Sequence, residues 1–400
     1  MNSPADSPVA IAGGGIGGLA CALALARRGQ RSVVLEQARE FGEAGVGLQI
    51  ATNALHVLDA LGIGSVVKRH ALLIERMLMM DGVTGEPIID VPCGEAWVRR
   101  FGNPYAVAHR SDVHGALLEA CRSDGKVELR TQAKVIGFDE TPAGVRVALA
   151  EGKPVEAAAL VGADGVYSTV RKLVVGDGEP LASGAVIYRA VIPSASMPKE
   201  LRHPYPTLWA GPKTHIIYYP LRDWSMFNFG ATVVTGQGEV DESSEAALEE
   251  VLPLFSANCD EALKALRAAK RFRRFVIRHR SPVDSWSRGA VTLLGDAAHP
   301  MVQYIAQGAA QALEDALVLA ECVAHAKGDF AAAFSRYQAV RIVRSARVQI
   351  SSLMMDRILH ASAVERRVRN SVFSGRSVEE HYDRLAWLYD RRYMEGTGLA

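Results

Sequence analysis

Three groups of residues in this 400-residue chain have the types and spacing to do chemistry. The first is Gly13-x-Gly15-x-x-Gly18, which follows the apolar run Pro8-Val9-Ala10-Ile11-Ala12. A diphosphate needs backbone N–H groups at close range and a helix N-terminus aimed at it, and side chains at these positions would hold it away. Glu36 lies about twenty residues on, where a carboxylate can accept both hydroxyls of a ribose. The second group is Leu294-Gly295-Asp296-Ala297-Ala298-His299-Pro300. A strand ending in Gly-Asp sets a carboxylate at the strand edge where ligands bind in open α/β sheets; the lesser alternative for Asp296 is a helix cap. The third is His215 with Tyr219. On a strand His215, Ile217 and Tyr219 share one face while Ile216 and Tyr218 share the other. That face is either a pocket wall carrying a base or a sheet core holding a satisfied histidine.

These residues need elements to position them. Residues 8–12 read as a buried parallel strand, 16–28 as an Ala- and Leu-rich helix closed by Gly29, and 32–35 as the next strand. The strand–helix–strand unit with its terminal acid makes the glycine motif a dinucleotide site rather than a bare turn. Residues 41–47 read as a loop and 53–61 as a helix. The stretch 74–107 looks strand-rich, 112–121 helical, and 160–162 a strand. Residues 185–235 are again strand-rich and aromatic, and 245–267 read as helical. Residues 290–294 form a buried strand, a long helix spans 308–325, and further helices fill 330–359. The helix that begins near Gly308 would point its N-terminus at negative charge developing on a ligand beside Asp296.

Composition narrows the class. The formal net charge of +1 exerts no global pull toward nucleic acid or an anionic membrane. The basic, aromatic stretch 270–280 is read as a solvated strand and helix end rather than a single-stranded nucleic-acid platform. Five scattered cysteines form no CxxC, which argues against a disulfide framework or zinc site, and His109 and His114 have no third ligand nearby; no metal is expected. The first six residues lack a signal-peptide pattern and no apolar run reaches the roughly 20 residues of a transmembrane segment, so a cytoplasmic protein is expected.

The stretch Gly162-Ala163-Asp164-Gly165-Val166-Tyr167-Ser168-Thr169-Val170-Arg171 and the Gly295-Asp296 segment resemble, in this order, the two later signatures of the flavin-dependent aromatic hydroxylases. The resemblance covers nearly the whole chain. It implies tightly bound, non-covalent FAD, with Gly13, Gly15, Gly18, Glu36, Arg110, Asp164, Asp296 and Gly308 along the cofactor and His299 shaping backbone. It implies NADH as a transient co-substrate and O2 as the oxidant. The expected fold class is α/β: a Rossmann-like FAD-binding domain interlocked with a smaller mixed-sheet substrate domain and a helical C-terminal region. The segments are 1–75, 109–180 and 281–360 for FAD, 76–108 and 181–280 for substrate, and 361–400 for a C-terminal helical tail.

Within the family, the segments around His215 and Gln303 look like the branch that para-hydroxylates 3-hydroxybenzoate to 2,5-dihydroxybenzoate through a flavin C4a-hydroperoxide. The resemblance assigns His215 and Gln303 to the phenolic hydroxyl as catalytic residues and Tyr219 to substrate binding. Tyr218 stands where the pattern has a shorter polar side chain, which bears on pocket size. Hydroxylases of salicylate or 6-hydroxynicotinate share the layout, and a non-hydroxylating flavin reductase or redox-regulated binding protein is the alternative of another class. The expected partners are a small aromatic acid, O2 and NADH, with no nucleic acid; a homodimer is compatible with the chain.

Overall fold

The computed structural model describes residues 7–42, 45–236 and 244–390. The leader reading of residues 1–6, Glu43 and Ala44 of the loop at 41–47, and residues 391–400 of the tail lie outside the described residues. Strand Val9–Ala12 is buried along its whole length and pairs in parallel with Ser32–Leu35 on one side and Ala159–Gly162 on the other. Continuous apolar runs are what a sheet covered on both faces requires. Its complete order is Ser287–Arg288, Val291–Leu293, Ala159–Gly162, Val9–Ala12, Ser32–Leu35 and Val127–Arg130, with only the Ser287–Arg288 edge antiparallel. Helix Ile16–Arg27 buries ten of its residues against this sheet and against helix Gly308–Ala326. Each Val, Leu or Ile buried there contributes roughly 1.5–3 kcal/mol.

The second sheet has eight strands, in the order Glu245–Ala247, Arg271–His279, Leu181–Pro193, Met226–Val234, Thr214–Leu221, Thr207–Gly211, Arg76–Asp81 and Pro87–Pro92. It is antiparallel except where Thr207–Gly211 meets Arg76–Asp81. Because its strands come from two separated stretches of chain, the sheet is threaded through the parallel-sheet unit. The single helix Phe330–Leu359 then runs from the first sheet to the second, and Ala363–Ser374 and Val378–Tyr389 complete the helical end. Tyr382 and Tyr389 pack on Trp97 with ring centroids 5.4 and 5.3 Å away, tying this end to the body.

Three expectations need correction. The strand-rich stretch 74–107 contains helix Glu95–Phe101, whose start follows Gly94 and whose end is the left-handed Gly102. The helical stretch 245–267 opens with strand Glu245–Ala247, and Pro253 interrupts it before helix Asp260–Arg267. The basic run is a strand as expected but contains no helix end: Arg271–His279 is an inner strand, held on both sides, with Phe272 buried and Arg271 and Arg273 exposed.

All five cysteines are free thiols, four of them buried and Cys259 half-buried. No described helix is long and apolar enough to cross a membrane.

Candidate active site

A cavity of about 1190 Å³ runs from the glycine turn of the parallel sheet to the face of the eight-stranded sheet. At its first end, Gly13 has φ +104°, and a Cβ there would stand 2.3 Å from the Ala163 carbonyl oxygen. A Cβ on Gly18 would stand 2.0 Å from the Gly13 carbonyl oxygen, so the helix can seat on its strand only without side chains. Glu36 accepts from Gly14 N–H at 2.8 Å through one oxygen and from Ala38 N–H at 2.8 Å through the other. His114, buried, bonds the Gly14 carbonyl at 2.8 Å and braces the turn from behind.

Gly13, Gly15, Glu36, Arg110, Asp164, Asp296 and Gly308 all line this one cavity, and Gly18 sits just behind it. Asp164 uses its carboxylate locally: it accepts from Thr169 N–H at 2.8 Å and from the Ser168 hydroxyl, fixing the turn into helix Thr169–Val174. Asp296 is exposed to the cavity on the turn Gly295–Ala297, beside the start of helix Gly308–Ala326. That turn is held by Asp315, which accepts from Gly295 N–H at 2.9 Å, from His299 Nε2–H at 2.6 Å and from Arg341 Nε–H at 2.6 Å. Burial works against the Asp315 charge, but His299 and Arg341 outweigh it and hold the carboxyl well below its usual range. His299 faces this brace and not the cavity. A long, glycine-floored cleft with a carboxylate at either end and a helix N-terminus between suits FAD, and these residues would hold it.

At the far end, His215, Ile217 and Tyr219 line the cavity, while Tyr218 points to the opposite face. There Tyr218 stacks on Phe229 at 5.9 Å and 10° in the sheet's own core, so its bulk takes nothing from the pocket. His215 Nδ1 lies 2.8 Å from Nε2 of His360, whose Nδ1 lies 2.9 Å from Asp356 Oδ1. A carboxylate only accepts, so His360 carries its proton on Nδ1; its Nε2 then accepts from His215 Nδ1–H. His215 Nε2 is left with a lone pair and without a hydrogen-bond partner among the described residues. Burial, and after it His360, pulls His215 well below the ordinary imidazole value. It is a neutral imidazole.

Gln303 lines the same cavity from the turn Gln303–Ile305 but does not touch His215; its side-chain oxygen accepts from Arg189 Nη2–H. A guanidinium only donates, so the amide nitrogen of Gln303 is the end left for a ligand. Tyr219 adds a phenol that burial keeps protonated. Arg189 pairs with no carboxylate among the described residues, and burial pulls it below its ordinary value while Tyr219 acts the other way. The C-terminal helix supplies His381, Arg384, Leu385, Leu388 and Tyr389 to the wall. Sequence reasoning missed Arg189, His360, Asp356 and this tail wall. The spacing of Asp356 and His360 on one helix face was a readable signal, whereas nothing local links either to His215.

Over residues 6–346 the chain matches the family described as FAD binding domain. It is similar to the 3-hydroxybenzoate 6-hydroxylase of Polaromonas naphthalenivorans (strain CJ2), 45% identical over 388 residues that cover 97% of each chain. It is similar also to the 3-amino-4-hydroxybenzoate 2-monooxygenase PtmB3 of Streptomyces platensis, 34% identical over 383 residues and 95% of each chain. Among solved structures, a salicylate hydroxylase substrate complex superposes with a TM-score of 0.84 at 22% identity, covering 99% of this chain and 98% of that one. That last likeness is one of fold.

Proposed function

The chain belongs to the FAD-binding family of aromatic monooxygenases, and on that premise we propose that it hydroxylates 3-hydroxybenzoate para to its hydroxyl, giving 2,5-dihydroxybenzoate. The balance is substrate, O2, NADH and a proton to dihydroxy product, NAD+ and water. One observation carries the reading: His215 presents an unpaired Nε2 to the cavity while its other nitrogen is held by His360.

Bound FAD supplies the reduction by NADH and the activation of oxygen. The chain's own residues prepare the ring. His215 Nε2 takes the phenol proton as a general base. The Gln303 amide nitrogen donates to the same oxygen and steadies the phenolate. Phenolate formation drives electron density to the para carbon, the position that must receive oxygen. The Tyr219 hydroxyl and the Arg189 guanidinium suit the substrate carboxylate, a cation and a donor in a partly desolvated setting. Ile187, Leu208, Ile217 and Met301 line the cavity with apolar surface and keep water from the activated oxygen.

The test is product identity. Purified holoenzyme given 3-hydroxybenzoate, NADH and oxygen should form 2,5-dihydroxybenzoate in proportion to NADH oxidised. Catechol from salicylate, with no turnover of 3-hydroxybenzoate, would overturn the assignment.

A further inference from the structure

His215 is 3% exposed, and a proton that it accepts makes a cation in a closed site. Such a charge is costly unless it is paired or passed on. The hydrogen-bonded path away from the cavity runs 2.8 Å to His360 and 2.9 Å to Asp356. Exposure rises along it: His215 is buried, and the side chains of His360 and Asp356 are 5% and 37% exposed. The path therefore begins at the substrate wall and ends in solvent.

We infer that His360 and Asp356 form a proton exit from the substrate hydroxyl to solvent, acting through His215. The inference rests on the phenol-hydroxylating reading above. Each transfer breaks one N–H or O–H bond and forms another. The phenol O–H proton goes to His215 Nε2, the His215 Nδ1 proton to His360 Nε2, and the His360 Nδ1 proton to Asp356 Oδ1, from which water removes it. Phenolate remains in the cavity and both rings stay neutral. Run backwards, the same path returns a proton to the ring oxygen when the product regains its aromaticity. No oxidant or reductant is needed. His360 and Asp356 are positioning residues that also carry the proton.

The neighbours do not divert it. Tyr304 stands edge-on to both rings, 5.4 Å from each centroid, and burial together with the Asp356 charge keeps its phenol protonated. His279, on the strand Arg271–His279, is lowered by burial while Asp356 acts the other way. Arg357, next in the helix, is paired with Glu365 at 2.6 Å. His360 is anchored through its backbone, its carbonyl accepting from Lys213 N–H at 3.0 Å.

Stopped-flow mixing of oxidised holoenzyme with 3-hydroxy-4-nitrobenzoate, below the pH at which the free phenol ionises, reads the step directly as nitrophenolate absorbance. Wild type should form bound phenolate rapidly. His360→Phe should form it about tenfold or more slowly, and added imidazole should restore the rate in proportion to its concentration. Asp356→Asn, on a half-exposed helix position where folding is safe, should slow it less and respond to added formate. A merely structural role would change FAD content or affinity and would not respond to added buffer. Wild-type rates in both variants, or slow rates that no buffer restores, would overturn the exit while leaving the hydroxylase reading intact. Absence of phenolate in wild type would remove that reading and the exit with it.

Discussion

The Arg189 guanidinium donates to the side-chain oxygen of Gln303, and this one bond fixes which end of the amide meets a ligand. With its oxygen turned to a pure donor, Gln303 has its two N–H bonds left for a ligand. On the proposed reading, the Gln303 group that meets the substrate hydroxyl is a donor, suited to phenolate more than to phenol.

Gln303→Ala removes that donor. A hydrogen bond to a charged acceptor contributes about 1.5–3 kcal/mol, so hydroxylation should fall roughly ten- to a hundredfold. Flavin reduction by NADH should continue, so the loss appears as hydrogen peroxide in place of product. Product formed per NADH oxidised measures it; an unchanged ratio would remove Gln303 from the chemistry.

His215→Ala should retain FAD and its reduction but lose the roughly 10²–10⁴-fold typical of general-base assistance. Raising the pH toward the phenol's own ionisation should partly restore coupling, since solvent then delivers phenolate. In wild type the base stays neutral as pH falls through the ordinary imidazole value of 6.5, because burial and His360 depress it. The acid limb of activity should therefore lie below 6.5. The same depression has a stability sign. Below 6.5 the unfolded chain binds a proton that the folded chain refuses, so stability declines as pH falls toward the folded value. Urea midpoints measured across that window should show a shallower acid slope in His215→Ala.

The glycine turn gives a graded test of the cofactor cradle. In Gly18→Ala the new methyl meets the Gly13 backbone at 2.0 Å, whereas in Gly17→Ala it meets the Leu294 side chain at 2.9 Å, which can turn aside. Gly18→Ala should cost the roughly 1–3 kcal/mol of overpacking or more and purify without FAD, and Gly17→Ala should stay yellow. Glu36→Ala should weaken FAD retention while leaving the fold, since its two backbone acceptor bonds lie at the cleft edge. Equal FAD content in all three proteins would displace the cofactor from this cleft.

Local spacing made much of this legible. The phosphate turn, its helix and Glu36 lie within one strand–helix–strand unit, so the sequence order already carries their geometry. Period-two alternation put His215 and Tyr219 on one wall and Tyr218 on the other, as observed. The exit path was not legible, because His360 is 145 residues from His215 and meets it only when a 30-residue helix crosses from one sheet to the other. Arg189 was hidden for a different reason. On a strand it looks like a solvent-facing residue, and only the neighbouring turn at Gln303 turns its setting into a ligand wall. The basic run was legible as a strand, but its charges hid that the strand lies inside the sheet with Phe272 buried.

The burial of the thiols has a consequence for wear. Thiolate, not thiol, reacts readily with peroxide, and burial pushes Cys93 and Cys121 up to about 12 and Cys322 up to about 11. Peroxide shed by an imperfect turnover would thus meet these buried sulfurs as unreactive thiols. Thioether sulfur has no such protonation shield, and Met77, Met79, Met301 and Met355 line the cavity itself. A sulfoxide there would turn apolar wall into polar wall and admit water, which sheds more peroxide. Loss of activity over repeated turnover should therefore track sulfoxide formation at these four methionines.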